Sequence, residues 1–285
     1  MTLLVFGETG QLAREIARQT GTTETVFAGR DLADFTDPEA CAALVRGSGA
    51  RAVINAVAYT AVDRAEEEEA LATTVNATTP GAIARACAER GLPLVHVSTD
   101  YVFDGAGEAP FAPDAATGPL GAYGRSKLAG EEAVRAAGGT HAIIRTSWVV
   151  SAHGSNFVKT MLRLGHERDA LRVVADQVGG PTPAADLAAA CLAAAGGLAG
   201  DPGLSGSYHF AGAPDVSWAG FAREIFARSG VACAVEEIPT EAYPTPAARP
   251  RNSRLDCSSF EAAFGLARPD WRDGLHGILA ELGEI

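Results

Sequence analysis

Lysine is almost missing from this chain: Lys127 and Lys159 are the two among 285 residues, and arginine fills the other 21 of 23 basic positions. Acidic residues number 35, so the net charge is -12, and no basic run offsets it. That field repels a nucleic-acid backbone or an anionic membrane surface and excludes both as partners. Cysteine is scarce as well. Cys41, Cys87, Cys191, Cys233 and Cys257 are odd in number and have no zinc-like spacing, which leaves them the role of small apolar residues. No uninterrupted apolar run reaches membrane length. The alanine-rich stretch 184–200 carries Asp186 and several glycines, so it reads as a packed helix. The opening Met1-Thr2-Leu3-Leu4-Val5-Phe6 has no charged leader, and a cytoplasmic protein is expected.

What is present is a rhythm. Apolar strands at 3–6, 25–28, 52–55, 94–98, 142–145 and 172–174 alternate with helical patterns, starting with 11–19. Strands too apolar to face water predict an α/β fold, a Rossmann-type doubly wound parallel sheet covered on both faces. After about residue 200 the rhythm changes. A strand at 207–211, a helix over 217–229 capped by Ser217 and a strand at 234–238 are expected, and 239–250, with four prolines, has no regular element. The expected division is a dinucleotide-binding domain of 1–150 plus about 168–205, and a smaller α+β substrate-binding domain of about 151–167 and 206–285.

Gly7-Glu8-Thr9-Gly10-Gln11-Leu12-Ala13 joins the first strand to the first helix. Gly7 permits a tight turn, Gly10 lets backbone approach a pyrophosphate, and Ala13 allows close helix packing. After the second strand stands Gly29-Arg30-Asp31. An arginine there pairs with a 2'-phosphate and an acid with a ribose hydroxyl, so Arg30 leans toward NADPH while Asp31 leaves NADH open.

The scarce lysine is well placed. Tyr123 and Lys127 are four residues apart, on one helix face, in Tyr123-Gly124-Arg125-Ser126-Lys127. An ammonium beside a phenol moves the phenol's pKa down from about 10 toward neutrality, which suits a general acid. Codon bias explains the rarity of lysine but not its location; a compact ammonium in place of a guanidinium does. Thr99, in Ser98-Thr99-Asp100, falls at the carboxyl end of a central strand, where such sheets bind ligands.

Together with Ile54 to Asp63, Val75-Asn76-Ala77, Val97 to Gly105, Arg145 to Trp148, Asn156-Phe157, Asp176-Gln177, Pro181-Thr182, Ser217-Trp218 and Arg249 to Ser253, these motifs resemble the dTDP-4-dehydrorhamnose reductase family of extended short-chain dehydrogenase/reductases. The resemblance covers nearly the whole chain. It implies reduction of the 4-keto group of a dTDP-4-dehydro-6-deoxyhexose, with Tyr123 as acid, Lys127 on the nicotinamide ribose and Thr99 on the carbonyl. It further implies Gly7, Gly10, Gln11 and Leu12 at the pyrophosphate, Asp34 and Phe35 near the adenosine, and Ala56, Ala58 and Tyr59 along the dinucleotide. Thr60, Trp148 and Asn156 then line the sugar site, with a loop residue, a core residue and a helix cap as their plainer alternatives. Related 4,6-dehydratases carry a glutamate that removes a carbon-bound proton; here that position is Tyr101, a poor base, so dehydration is disfavoured.

Two other readings stay open: a 4-ketoreductase of another nucleotide-activated deoxysugar, and a non-catalytic subunit resembling the regulatory subunit of methionine adenosyltransferase, against which the retained Tyr123, Lys127 and Thr99 argue. A homodimer is compatible with the sequence. Some members hold magnesium through glutamates matching Glu15 and Glu281. The third matching position is Ala185, with Asp186 about 100° away around a helix, so surface carboxylates are the expected reading and magnesium is doubtful.

Overall fold

The computed structural model describes residues 2–285. In β1 (Leu3–Phe6) every residue is buried, and alternation sends Leu3 and Val5 into one core and Leu4 and Phe6 into another on the opposite face. A strand apolar on both sides has to be covered on both. β2 (Thr25–Ala28), β3 (Ala52–Asn55), β4 (Leu94–Thr99), β5 (His141–Thr146) and the strand Gly206–His209 complete a parallel sheet. Its order is Gly206–His209, β5, β4, β3, β1, β2. The chain leaves β1 for β2 on one side and continues as β3 on the other. Strand order therefore reverses between β1 and β3, which opens a crevice at their carboxyl ends.

The helices are α1 (Gln11–Gln19), α2 (Pro38–Gly47), α3 (Glu69–Thr73), α4 (Thr79–Arg90), α5 (Ala122–Ala136), α6 (Phe157–Glu167), α7 (Ala184–Gly200), α8 (Trp218–Ser229), α9 (Ser258–Phe264) and α10 (Trp271–Leu282). Residues of α2 and α4 cover the Leu4/Phe6 face; residues of α1 and α7 cover the Leu3/Val5 face. The alanine-rich α7 thus lies against the sheet through Leu187, Cys191 and Ala194, and among the described residues no helix is long and apolar enough to cross a membrane. Four of the five cysteines are buried and Cys233 is half-buried.

A second core forms from α6, α8 and α10 with the parallel pair Ala170–Val174 and Ala234–Ile238, centred on Val158, Leu171, Phe221, Ile225 and Leu275. Ser217 caps α8 as its position predicts, its hydroxyl accepting from Gly220 N–H at 3.0 Å. Two segments fall on the other side of the expected division. Gly206–His209 hydrogen-bonds to β5 as the edge of the main sheet, and its polar sequence suits an edge. Ala170–Val174 pairs with Ala234–Ile238 away from that sheet. Within 239–250 there is one 3-10 turn, Thr240–Ala242.

Candidate active site

Gly7 ends β1 with φ +109°, which L side chains rarely adopt. Gly10 precedes α1, and no side chain caps that helix, so its first N–H groups are left for an anion. A Cβ added at Gly10 would meet nothing within 4 Å. Beside this turn lies a cavity of about 660 Å³, within the usual range for a small-molecule site. Of the expected cofactor residues, Gly7, Gly10, Arg30, Asp34, Phe35, Ala56, Ala58 and Tyr59 line it. Asp31, the acid that leaves NADH open, lines it too, and so do Glu8, Arg64 and Glu68, which the motifs give no cofactor role. Leu12 points into the core, which leaves its backbone alone to face a ligand. Gln11 turns toward the second core instead, accepting from Asn156 Nδ2 at 2.8 Å and from the Ser151 hydroxyl at 3.1 Å. Asp34 accepts from the N–H and hydroxyl of Thr36, which hold its carboxyl below the usual range.

Thr99 is the last residue of β4. Its Oγ1 accepts from Tyr101 N–H at 3.2 Å and donates to Asp100 Oδ1 at 3.0 Å, so the hydroxyl is held at the strand end. Tyr123 opens α5, and Lys127 follows one turn later. The helix approaches closely because it is glycine-lined: a Cβ at Gly124 would stand 2.2 Å from the Tyr101 carbonyl, and one at Gly130 2.0 Å from that of Asn76. Burial pushes the Tyr123 phenol up to about 12, against the pull of the Thr99 hydroxyl, while Asp100 adds to the rise. The expected lowering of the phenol's pKa is not seen, and Lys127 is not among the groups that shift it. Lys127 is 1% exposed, and its Nζ donates at 2.8 Å to the Val97 carbonyl, a strong acceptor at the depth where the side chain ends, and faces His96 at 3.5 Å. The phenol is thus kept protonated, the form that a general acid requires. Tyr101 meets Tyr123 edge-on at 5.4 Å, and burial pushes its own phenol up, so it is no base.

On the sugar side the three expected residues differ. Thr60 is exposed. Trp148 adopts φ +49°, uncommon for a bulky residue, and stacks on Trp218 with centroids 3.5 Å apart. Gly179 lies under the Trp148 ring and against Ser253, whose hydroxyl bears on Asp100, so the aromatic pair adjoins the catalytic end of β4. Asn156 caps α6, accepting from Lys159 N–H at 3.2 Å, and its amide reaches the Gln11 side chain; the cap alternative is the one seen. Asn76 belongs to the Val75-Asn76-Ala77 motif, to which the sequence assigns no role. Buried in a π-helical turn, it bonds both backbone groups of Tyr59 and the Ser126 hydroxyl, tying the cofactor loop to α5.

Asp100 is 2% exposed, and its Oδ2 has no hydrogen-bond partner. Burial pushes its carboxyl up from 3.8 to about 6, opposed by the Ser253 and Thr99 hydroxyls. A carboxyl raised in the folded state costs stability as pH rises from its unfolded to its folded value, and the full cost stands above about 6. Asp100→Asn removes the cost: denaturant unfolding should show a gain of roughly 3 kcal/mol near pH 7.5 that vanishes near pH 3.5. A gain independent of pH would refute this account.

At the edge of the second core, Glu15, His153 and Glu281 bring ligand atoms within 4.8 Å of one another. Asp186 is not part of this group, and His153 comes from a loop that no motif marked. Arg18 donates to both Glu281 oxygens, at 2.6 and 2.5 Å, and lies 3.6 Å from Glu15. The Arg18 guanidinium already occupies both oxygens of Glu281 and offsets one of the two negative charges, and an imidazole is a poor magnesium ligand. The set does not fit that ion, and no step is derived through it.

A family model described as RmlD substrate binding domain matches residues 1–284. The chain is 42% identical to dTDP-4-dehydrorhamnose reductase of Escherichia coli strain K12, over 99% of this chain and 98% of that one. Its structure is similar to that of a dTDP-4-dehydrorhamnose reductase from Clostridium acetobutylicum, with a TM-score of 0.93, 36% identity, and coverage of 99% and 100%. It is also similar to the Bacillus anthracis dTDP-4-dehydrorhamnose reductase in complex with NADP, with a TM-score of 0.91, 34% identity, and coverage of 98% and 99%.

Proposed function

The chain belongs to the dTDP-4-dehydrorhamnose reductase family, and from that premise we propose that it reduces the 4-keto group of dTDP-4-dehydro-L-rhamnose to give dTDP-L-rhamnose, with NADPH preferred and NADH accepted. The observation that carries the reading is the meeting of a half-buried Tyr123, its phenol held above its ordinary pKa, with the Thr99 hydroxyl at the end of β4, on the same small core cluster as Tyr59 of the dinucleotide cavity.

In this reading Gly7, Gly10, Arg30, Asp34, Phe35, Ala56, Ala58 and Tyr59 hold the dinucleotide, with Gln11 and the Leu12 backbone near its pyrophosphate. Bound NADPH supplies the hydride that goes to the sugar's C4. Thr99 turns its one hydroxyl proton from Asp100 to the ketone oxygen, donating a hydrogen bond that polarises it. Tyr123 gives that oxygen its phenolic proton as negative charge develops there, so the ketone becomes a secondary alcohol and Tyr123 a phenolate. Lys127 holds the nicotinamide ribose and stands one turn from the phenolate. Trp148 covers the sugar, and Asn156, through Gln11, links the sugar side to the cofactor turn. Tyr101 stands where dehydratases carry a basic glutamate, so nothing there removes a carbon-bound proton and reduction alone follows. A cytoplasmic setting suits an enzyme whose cofactor and nucleotide-sugar substrate are both made inside the cell.

The test is a panel of dTDP-4-keto-6-deoxysugars with NADPH and NADH, the reduced sugar being identified by NMR. The rhamnose precursor should be reduced fastest. Reduction of a different ketosugar alone would transfer the reading to another deoxysugar, and an NADH preference would overturn the role given to Arg30.

A further inference from the structure

We propose that Asn55 and His96 are positioning residues for Lys127: the amide locks one tautomer of the buried imidazole, which turns an N–H toward the ammonium and weakens its hold on the proton. The functional part of this inference rests on the reading of Lys127 as part of the reaction.

The geometry begins in the sheet. Asn55 of β3 and His96 of β4 are register partners, so their side chains share one face. Asn55 is 1% exposed and His96 is fully buried. The Val57 N–H, which can only donate, points to Asn55 Oδ1 at 3.0 Å, and this fixes the amide's orientation. Its Nδ2, also only a donor, then faces His96 Nδ1 at 3.1 Å. His96 Nδ1 must present its lone pair. A neutral ring in that state carries its proton on Nε2, the atom 3.5 Å from Lys127 Nζ. The ring is neutral, because burial first, and then Lys127 and His141, hold it well below its ordinary pKa.

An ammonium wants acceptors around it. Lys127 has the Val97 carbonyl, but where a second acceptor would help, an N–H stands. The neutral amine can accept that N–H; the ammonium cannot. The locked imidazole therefore acts in the same direction as burial, which brings Lys127 down to about 8. The other ionisable groups around the pair are Tyr123 one turn earlier on α5, Asp100 beyond the end of β4, His141 at the start of β5, and Glu131 one turn later on α5. Glu131 raises Lys127's proton affinity but is itself paired with Arg145 of β5. β3 contributes no charge. A lysine balanced near working pH can pass a proton toward the spent phenolate and regain one, which a fully charged lysine does poorly.

With two lysines in the chain, the experiment is direct. Protein labelled with 15N in lysine and histidine is titrated by NMR, with Lys159 as internal control. The His96 ring should carry its proton on Nε2 and stay neutral across the titration. Asn55→Asp keeps the shape and the Val57 bond but offers His96 an acceptor, so the proton should move to Nδ1 and Nε2 should accept from the ammonium. The Lys127 midpoint should then rise by about one pH unit or more, a tenfold gain in proton affinity. In a His96→Phe background, the same Asn55→Asp change should move Lys127 by less than about a third of that, which separates the tautomer from the new carboxylate's own field. In activity assays the alkaline limb of kcat should follow the Lys127 midpoint while KM for the sugar stays put.

A wild-type ring protonated on Nδ1, or an equal Lys127 shift with and without His96, overturns the proposal. The NMR readings need no turnover. If they come out as expected while the enzyme reduces no ketosugar, the assignment of function fails and the tautomer lock stands.

Discussion

Tyr123→Phe should lower kcat for ketosugar reduction by about 10² to 10⁴-fold, the usual contribution of a positioned general acid, and leave KM within a few-fold. The substitution removes one hydroxyl and keeps the ring that packs against Ala65, Ala72 and Ala122 and meets Tyr101 edge-on. Cofactor binding should change by no more than a few-fold, because the residues that line the dinucleotide cavity are untouched. The pH profile adds a second check. Burial holds the phenol at about 12, so Tyr123 remains protonated through the working range, and wild-type activity should show no loss that tracks phenol ionisation near neutrality. What should be lost above about 8 is the charge on Lys127. Reduction by the phenylalanine enzyme at the wild-type rate would remove Tyr123 from the mechanism and transfer the acid role to Thr99 or to water.

The parts of the site written into single elements were legible in the sequence. Gly7 marks its turn because L side chains rarely adopt its positive φ, Gly10 leaves the helix start uncapped and open, and Tyr123, Lys127 and Thr99 are set by helical spacing and a strand end. What escaped depends on register. Asn55 and His96 lie 41 residues apart and meet only because β3 and β4 pair as they do; in sequence they are a polar strand end and a histidine in an apolar run. His153 joins Glu15 and Glu281 from a loop, and loops carry no periodicity to read. The domain division slipped for a similar reason. Gly206–His209 has the polar look of a peripheral strand yet completes the main sheet, because edge position relaxes the demand for apolar side chains. The lysine was found from its rarity, but its direction was not. Helical spacing puts Nζ on the phenol's side of α5, whereas the bond it makes is chosen by the Val97 carbonyl of the neighbouring strand.

Glu131→Gln should destabilise the fold by about 3 to 5 kcal/mol at pH 7, the range for breaking a buried ion pair from one side. Glu131 is fully buried and accepts from Arg145 through both oxygens, at 2.8 and 2.7 Å, and from the Ser98 hydroxyl at 2.6 Å. Arg145, 3% exposed, is packed 5.0 Å from the centre of the Phe103 ring and cannot turn to water. Neutralising the carboxylate leaves that guanidinium buried without its counter-charge. The three residues join α5 to β4 and β5 beside Thr99, so the loss loosens the catalytic face as well as the core. The sign with pH follows from the shift: burial raises the Glu131 carboxyl, but Arg145 and Ser98 more than offset it and the net value is lowered from 4.5. Its contribution is present above about 4.5 and fades as pH falls through the folded value, so urea unfolding of the two proteins should converge in acid. A difference under about 1 kcal/mol at pH 7 would mean that Arg145 finds other partners, such as the Pro113 carbonyl it already holds at 2.9 Å. The same variant also acts on Lys127. Removing Glu131's field should move the Lys127 midpoint down, opposite to Asn55→Asp, so the alkaline limb of kcat becomes adjustable in both directions from two residues on either side of one ammonium.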